Sequence, residues 1–87
     1  MRQAEIDIIA IDDDTYVFVE VKYRQSGTAG TSLEAVTPSK QKKISAAALF
    51  YMNQKQLSIY KTNIRFDVIG IDGNTVTHVK NAFPFIR

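Results

Sequence analysis

Two carboxylates and a lysine, Asp7, Glu20 and Lys22, have the types and spacing to hold a divalent cation beside a reacting group. They lie in residues 4–11 and 16–22, two runs rich in Ile, Val, Phe and Tyr, which favour β-strands. In a hairpin with a two- or four-residue loop, Asp7 lies opposite Glu20, and opposed residues share a face of the sheet. Adjacent carboxylates repel each other, and a cation such as Mg²⁺, which takes hard oxygen ligands, relieves that repulsion.

The predicted metal site depends on the loop between the two strands, at residues 12–15. A three-residue loop would shift the register and move Asp7 to the opposite face. In the favoured register Glu5 faces Lys22, and a plain cross-strand ion pair would account for those two charges. Charges near strand ends are also often a solvated surface, so the spacing alone leaves a structural interpretation open.

Composition limits the class of protein. A chain of 87 residues holds one domain, and this chain has no cysteine, so it has no disulfide or thiolate metal site. It contains no apolar run of 18 residues and no basic segment followed by an apolar stretch at its N-terminus. We therefore expect a single domain over residues 1–87, cytoplasmic and without a membrane span.

Charge is unevenly distributed along the chain. Residues 1–20 carry six acidic residues and one arginine, a balance of −5, whereas residues 21–87 carry ten basic and three acidic residues, a balance of +7. An acidic segment in an otherwise basic protein suits a phosphodiester substrate, because the basic residues attract the nucleic-acid backbone and the acidic residues can hold metal. The alternative is that the acidic run at residues 12–14 is only a solvated turn.

A helix is predicted from residue 38 to about residue 54, because Thr37 and Pro38 form a helix-start pattern. At 100° per residue one face of this helix should pack on the sheet, while Ser45 and Ala46 point away. The packing face consists of Lys40, Gln41, Ile44, Ala47, Ala48, Tyr51 and Met52.

Residues 65–71 and 75–79 are predicted to form a second hairpin around a turn at residues 72–74, followed by a tail at residues 81–87. The resulting order is strand, strand, helix, strand, strand. A strand–helix–strand crossover is right-handed and joins parallel strands, whereas hairpins join antiparallel ones. The sequence therefore predicts an α/β protein with a mixed sheet and a crossover helix.

An aspartate on one strand followed by Glu-x-Lys after an apolar run resembles the PD-(D/E)xK nuclease signature. Six blocks in order resemble, more narrowly, the YraN-like family of small bacterial proteins, which are related to Holliday-junction resolvases and restriction endonucleases. The blocks are residues 5–10, 17–22, 34–36, 40, 65–68 and 81–83. The resemblance implies a restriction-endonuclease-like core and Mg²⁺- or Mn²⁺-dependent endonuclease action on nucleic acid, most simply DNA, with branched DNA as one candidate substrate.

The resemblance also implies roles for particular residues. Asp7, Glu20 and the Val21 carbonyl would bind the metal, and Lys22 would orient the attacking water or stabilise the phosphate. Arg24, Lys40 and Lys43 are predicted to contact nucleic acid, and Glu5 and Gln41 to have accessory roles. The alternative is that Arg24 and Lys43 only keep the surface soluble and that Lys40 extends along the sheet edge.

Two further polar residues stand in strands. Asp67 belongs to one of the matching blocks, and the sequence leaves open whether it binds a ligand or braces the fold. His78, the only histidine, lies in an alternating strand and is expected to be structural.

Members of this family usually carry an N-terminal helix, whose additional acid completes the metal shell, and a further strand before residue 5. This sequence begins on the block that follows, so we expect a core lacking the first helix, feeble activity, and a homodimer whose partner covers the exposed sheet. Two alternatives stay open: a catalytically inactive DNA- or RNA-binding protein of the same fold, and a structural or assembly module. Metal dependence distinguishes the enzyme, and salt-dependent nucleic-acid binding distinguishes the two alternatives from each other.

Overall fold

The computed structural model describes residues 6–24 and 36–86. Its elements, in chain order, are β1 Ile8–Asp12, β2 Thr15–Arg24, α1 Pro38–Gln54, β3 Asn63–Asp72 and β4 Thr75–Phe83. Over the described ranges the strands form one four-stranded sheet in the order β1-β2-β3-β4. β2 and β3 are parallel and are joined through α1, while both hairpins are antiparallel. The prediction of a mixed α/β sheet with a crossover helix is confirmed.

The first hairpin has the predicted register. Ile9 pairs with Phe18, and the loop has two residues, of which the first, Asp13, takes a left-handed φ of 55°. Aspartate tolerates that region better than most residues, and two-residue hairpin loops require it. The strand β1 begins at Ile8, later than predicted, so the prediction that Asp7 lies within this strand is wrong.

Helix α1 begins where the sequence predicts. The Thr37 hydroxyl accepts a hydrogen bond from the Lys40 amide at 3.2 Å, and Pro38 occupies the first helical position. The prediction that Ser45 points away from the core is wrong: its side chain is fully buried, and its Oγ accepts a hydrogen bond from the Ile86 amide at 2.9 Å. The segment after β4 therefore covers a side of α1 that periodicity alone assigned to solvent. None of the described helices is long and apolar enough to cross a membrane.

The core lies between α1 and one face of the sheet. Phe18 of β2 and Phe66 of β3 have ring centroids 5.8 Å apart, and Phe83 of β4 stacks on Phe66 at 5.0 Å. Ala48 and Met52 of α1 are completely buried against this aromatic row. The small Ala48 side chain lets the helix approach the sheet closely, which fixes the position of its first turn over β2.

The face of the sheet opposite α1 is apolar, with buried residues at its centre and exposed residues at its margins. Val17 and Val19 of β2 are buried, whereas Ile8 on β1 and Val76 on β4 are 45% and 66% exposed. Strand alternation places all four on the face opposite Phe18. Apolar residues therefore occupy both faces of the sheet, as the sequence predicts.

The second hairpin contains a bulge that the sequence analysis did not predict. Phe66 pairs with Phe83 but Val68 pairs with Val79, so β4 carries three residues opposite the single residue Asp67. As a result β4 continues to Phe83, and the prediction that residues 81–83 belong to a tail is wrong.

Candidate functional site

The Glu20 carboxylate is the centre of a charged cluster in the second half of β2. Glu20 is only 5% exposed, and two ammonium groups lie on the same carboxylate oxygen, with Lys22 Nζ and Lys40 Nζ each 3.4 Å from Oε2. Lys22 reaches this carboxylate because residues two apart on a strand share a face. Lys40 reaches it because the Thr37 cap starts α1 at this end of the strand.

Asp7 meets β2 at Val21, the middle residue of the Glu-x-Lys sequence. Its Oδ2 accepts a hydrogen bond from the Val21 amide at 2.8 Å. The two-residue loop is closed by the pair Asp12–Thr15, so the amide and carbonyl groups of every second β2 residue, including Val21, point towards β1. The strand β1 begins only at Ile8, and the Asp7 side chain supplies the acceptor that a longer strand would have provided.

This contact changes the predicted relation between the two carboxylates. The pairing between β1 and β2 ends at Ile8 and Val19, so Asp7 reaches β2 through its side chain and not as a strand partner of Glu20. Asp7 nevertheless contacts Val21, the residue that follows Glu20 in β2. The Val21 carbonyl points towards β1 like the Val21 amide.

The donor set suits a hard cation. Two carboxylates and one directed carbonyl surround Val21, and Mg²⁺ is commonly bound through one or two carboxylates while keeping several waters. Within residues 6–24 and 36–86 no group of three or more His, Cys, Asp or Glu side chains could hold a metal ion. Asp7, Glu20 and the Val21 carbonyl supply fewer side-chain ligands than such a group, but their oxygens are of the kind that Mg²⁺ and Mn²⁺ take.

Four other residues were predicted to belong to the site. Two of them, Glu5 and the Arg24 side chain, lie outside the described residues. Lys43 is exposed on α1, and Gln41, half-buried, donates a hydrogen bond from Nε2 to the Val36 carbonyl at 3.2 Å. Gln41 thus anchors the segment that enters the helix.

A second charged cluster surrounds Asp67, whose side chain is 1% exposed. Arg65 donates to both carboxylate oxygens, from Nε to Oδ1 at 2.9 Å and from Nη2 to Oδ2 at 3.1 Å. The Asn81 amide donates to Oδ1 at 3.0 Å, and His78 Nε2 lies 2.8 Å from Oδ2. Arg65 also donates from Nη1 to Asp12 on β1 at 2.9 Å, so the cluster ties three strands together.

These contacts determine the charge state of the pair. Burial alone would raise the pKa of Asp67, but the hydrogen bonds from Arg65, the Asn81 amide and His78 outweigh burial and lower that pKa below its ordinary value. The same carboxylate, followed by Asp12, raises the pKa of Arg65. An ionised carboxylate can only accept, so the His78 nitrogen facing it carries the hydrogen.

The bulge in β4 lies opposite Asp67, within this cluster. Asn81 has a left-handed φ of 54°, and this conformation turns its amide towards Asp67. Bulges of this kind redirect backbone and side chains locally. The sequence pattern indicated Asp67 and His78 separately but assigned no role to Arg65. The signal that could have joined them was the Arg-x-Asp spacing, which places both charges on one face of a strand.

The two charged clusters lie on opposite faces of the sheet. Glu20 pairs with Val68 on the face that α1 covers, whereas Asp67 pairs with Val19 and faces the other way. The molecule is thus a mixed α/β protein with a carboxylate–lysine cluster in the second half of one parallel strand.

Comparison with known sequences gives the family of this chain. Residues 1–71 match the Uncharacterised protein family UPF0102, and the chain belongs to that family. It is 48% identical over 86 residues to a UPF0102 protein of Colwellia psychrerythraea, covering 94% of this chain and 67% of that protein. It is 42% identical over 83 residues to one of Aliivibrio fischeri, covering 93% and 68%. A Yersinia pseudotuberculosis relative is 40% identical over 82 residues, covering 94% and 70%.

The family predicted from the six sequence blocks is therefore confirmed. The names of these relatives state no activity, substrate or partner. Any function must be inferred from the residues themselves.

Proposed function

We propose that this chain holds Mg²⁺ or Mn²⁺ on a restriction-endonuclease-like core and acts as an endonuclease on nucleic-acid phosphodiester bonds. The observation that carries this proposal is the convergence of charges in the second half of β2. A buried Glu20 carboxylate contacts Lys22 and Lys40, and the Asp7 carboxylate contacts the adjacent residue, Val21. Carboxylates that can hold a cation and ammonium groups that can contact a phosphate are the two components such a reaction needs.

Each residue has a distinct role in this proposal. Asp7, Glu20 and the Val21 carbonyl bind the ion, which when bound lowers the pKa of a coordinated water and stabilises charge on the phosphate. Lys22 shares a face with Glu20 and is positioned to donate a hydrogen bond to the attacking water or to a phosphate oxygen. Lys40 contacts a phosphate from the first turn of α1.

The charge distribution supports a polyanionic substrate. Residues 21–87 carry ten basic and three acidic residues, so the body of the protein attracts a phosphate backbone towards the acidic point where metal would bind. DNA is the simplest candidate, and linear DNA, branched DNA and RNA of equal length should be compared directly.

The test is cleavage of those three labelled substrates with Mg²⁺, with Mn²⁺ and with EDTA. We expect weak cleavage that requires the metal and is lost in Glu20→Gln and Lys22→Met. Asp13→Asn removes a carboxylate from the exposed turn and serves as the control, with activity unchanged. Cleavage that survives EDTA, or full activity in Glu20→Gln, would refute the proposed mechanism.

A second candidate is binding of nucleic acid without cleavage. It is favoured by the contacts that already occupy one oxygen of each acid, namely the Val21 amide on Asp7 and the two lysines on Glu20. For such a protein we expect binding that persists in EDTA and weakens with salt. Lys40→Met and Lys43→Met should each reduce the salt dependence by about one counterion. Fluorescence anisotropy of a labelled duplex measures both properties.

A further inference from the structure

Two ammonium groups compensate one buried carboxylate in the Glu20 cluster. Lys22 Nζ and Lys40 Nζ both lie 3.4 Å from the same oxygen, Oε2. Charge-assisted N–H···O bonds are usually about 2.7–2.9 Å long, so both contacts are loose ion pairs and not tight hydrogen bonds. A loose ion pair can be exchanged for another cation at little structural cost.

The two lysines differ in how readily they can leave Glu20. Lys22 extends from the same strand and its side chain is only 20% exposed. Lys40 extends from a separate element, α1, and its side chain is 39% exposed. The flexible four-carbon stem of Lys40 can therefore move its ammonium group into solvent without disturbing the strand.

We propose that Lys40 is an exchangeable counter-ion of Glu20 that competes with the divalent cation. This inference rests on the proposed function, because it requires a cation site at Glu20. An ammonium group beside Oε2 and a divalent ion on the same carboxylate repel each other, so metal binding favours release of the more exposed lysine, Lys40. Without metal, Lys40 reduces the cost of burying the carboxylate.

This competition couples the metal to the nucleic-acid ligand. A released Lys40 is available to a phosphate group, so bound metal strengthens phosphate binding. A phosphate that draws Lys40 away from Glu20 strengthens metal binding by the same factor. Metal and phosphate would then bind cooperatively, and Lys40 would suppress metal binding when no substrate is present.

The direct test is Mn²⁺ binding to the whole 87-residue chain, measured by electron paramagnetic resonance without nucleic acid. Removing one positive charge close to a divalent ion in a partly exposed site should tighten its binding on the order of tenfold, so we expect that change in Lys40→Met. Lys40→Arg keeps the charge and should bind like the wild type. Lys42→Met, two residues along the helix and exposed, removes the same charge elsewhere and should change the affinity by less than about twofold.

Thermal unfolding gives an independent readout. Lys40→Met should be less stable than the wild type without metal, since Glu20 loses a counter-charge, and should gain more in Tm on addition of Mn²⁺. Unchanged or weaker Mn²⁺ affinity in Lys40→Met, with wild-type binding intact, would overturn the counter-ion role and leave the proposed function standing. No Mn²⁺ binding in either protein would overturn the proposed function, and the counter-ion role with it.

Discussion

Replacing Asp67 by asparagine should remove a large share of the folding free energy. Each carboxylate oxygen of Asp67 accepts two hydrogen bonds: Oδ1 from Arg65 and the Asn81 amide, Oδ2 from Arg65 and His78. In the variant one oxygen becomes an NH₂ group, and in either orientation this group faces a donor of Arg65. The change preserves the volume of the side chain, so the effect isolates the charge and the hydrogen bonds.

The size of the effect follows from burial. Removing one partner of a buried ion pair costs about 3–5 kcal/mol. Asparagine keeps one acceptor, and Arg65 is partly exposed, so we expect a loss of about 2–3 kcal/mol. For a domain of this size each kcal/mol shifts Tm by about 4–8 °C, which gives a decrease of roughly 8–24 °C.

The assay is thermal and urea unfolding followed by circular dichroism, with Asp13→Asn as the matched control. Asp13 is exposed in a turn, and asparagine also tolerates its left-handed φ, so this control should stay within about 0.5 kcal/mol of the wild type. If Asp67→Asn were equally neutral, the bracing role assigned to the cluster would be refuted.

The pH dependence provides a further check on the same residue. The pKa of Asp67 is lowered in the folded state, so its stabilising contribution is fully present above the unfolded-state pKa of about 3.9 and is lost as pH falls through the folded-state value. The stability of the wild type should therefore decrease below about pH 4 more steeply than that of Asp67→Asn. Parallel curves for the two proteins would contradict the assigned charge state.

Three other predictions concern the helix, the C-terminal segment and self-association. Thr37→Ala should cost about 1 kcal/mol in urea unfolding by removing the helix cap, whereas Ser39→Ala, exposed in the first turn, should be close to neutral. Ser45→Ala should cost about 1 kcal/mol, because the Ile86 amide loses its acceptor, and should speed hydrogen exchange at that amide. The exposed apolar margin of the sheet face opposite Phe18 should produce a homodimer at micromolar concentration in sedimentation, weakened by Ile8→Lys; a wild-type monomer would exclude this.

Features set by neighbouring residues could be predicted from the sequence. The start of α1 follows from a threonine cap followed by proline, and both signals act within one turn. The register of the first hairpin follows from the two-residue turn, since loop length and side-chain alternation leave one arrangement with Ile9 opposite Phe18. The parallel pairing of β2 with β3 follows from the intervening helix.

Features set by distant residues could not be predicted in this way. Ser45 is buried because Ile86, 41 positions later, returns to the helix. The bulge in β4 depends on Asn81 meeting Asp67, 14 positions earlier, and hairpin spacing carries no information about that contact. The early end of the first strand pair depends on the Asp7 side chain, which replaces a backbone acceptor. Periodicity describes which face a residue occupies but not what returns to cover that face.

The two buried carboxylates show why Glu20, and not Asp67, is the better candidate for chemistry. Asp67 has four donors on its two oxygens, three of them from the Arg65 fork and the Asn81 backbone amide, so a ligand would have to displace a contact that the strands hold in place. Glu20 is compensated by two ammonium groups at 3.4 Å, of which the more exposed one, on Lys40, can return to solvent when a cation arrives. Both residues are buried acids on neighbouring strands, so burial alone does not separate them. The exchangeability of their partners does, and it predicts that added Mn²⁺ should stabilise both the wild type and Asp67→Asn, but not Glu20→Gln.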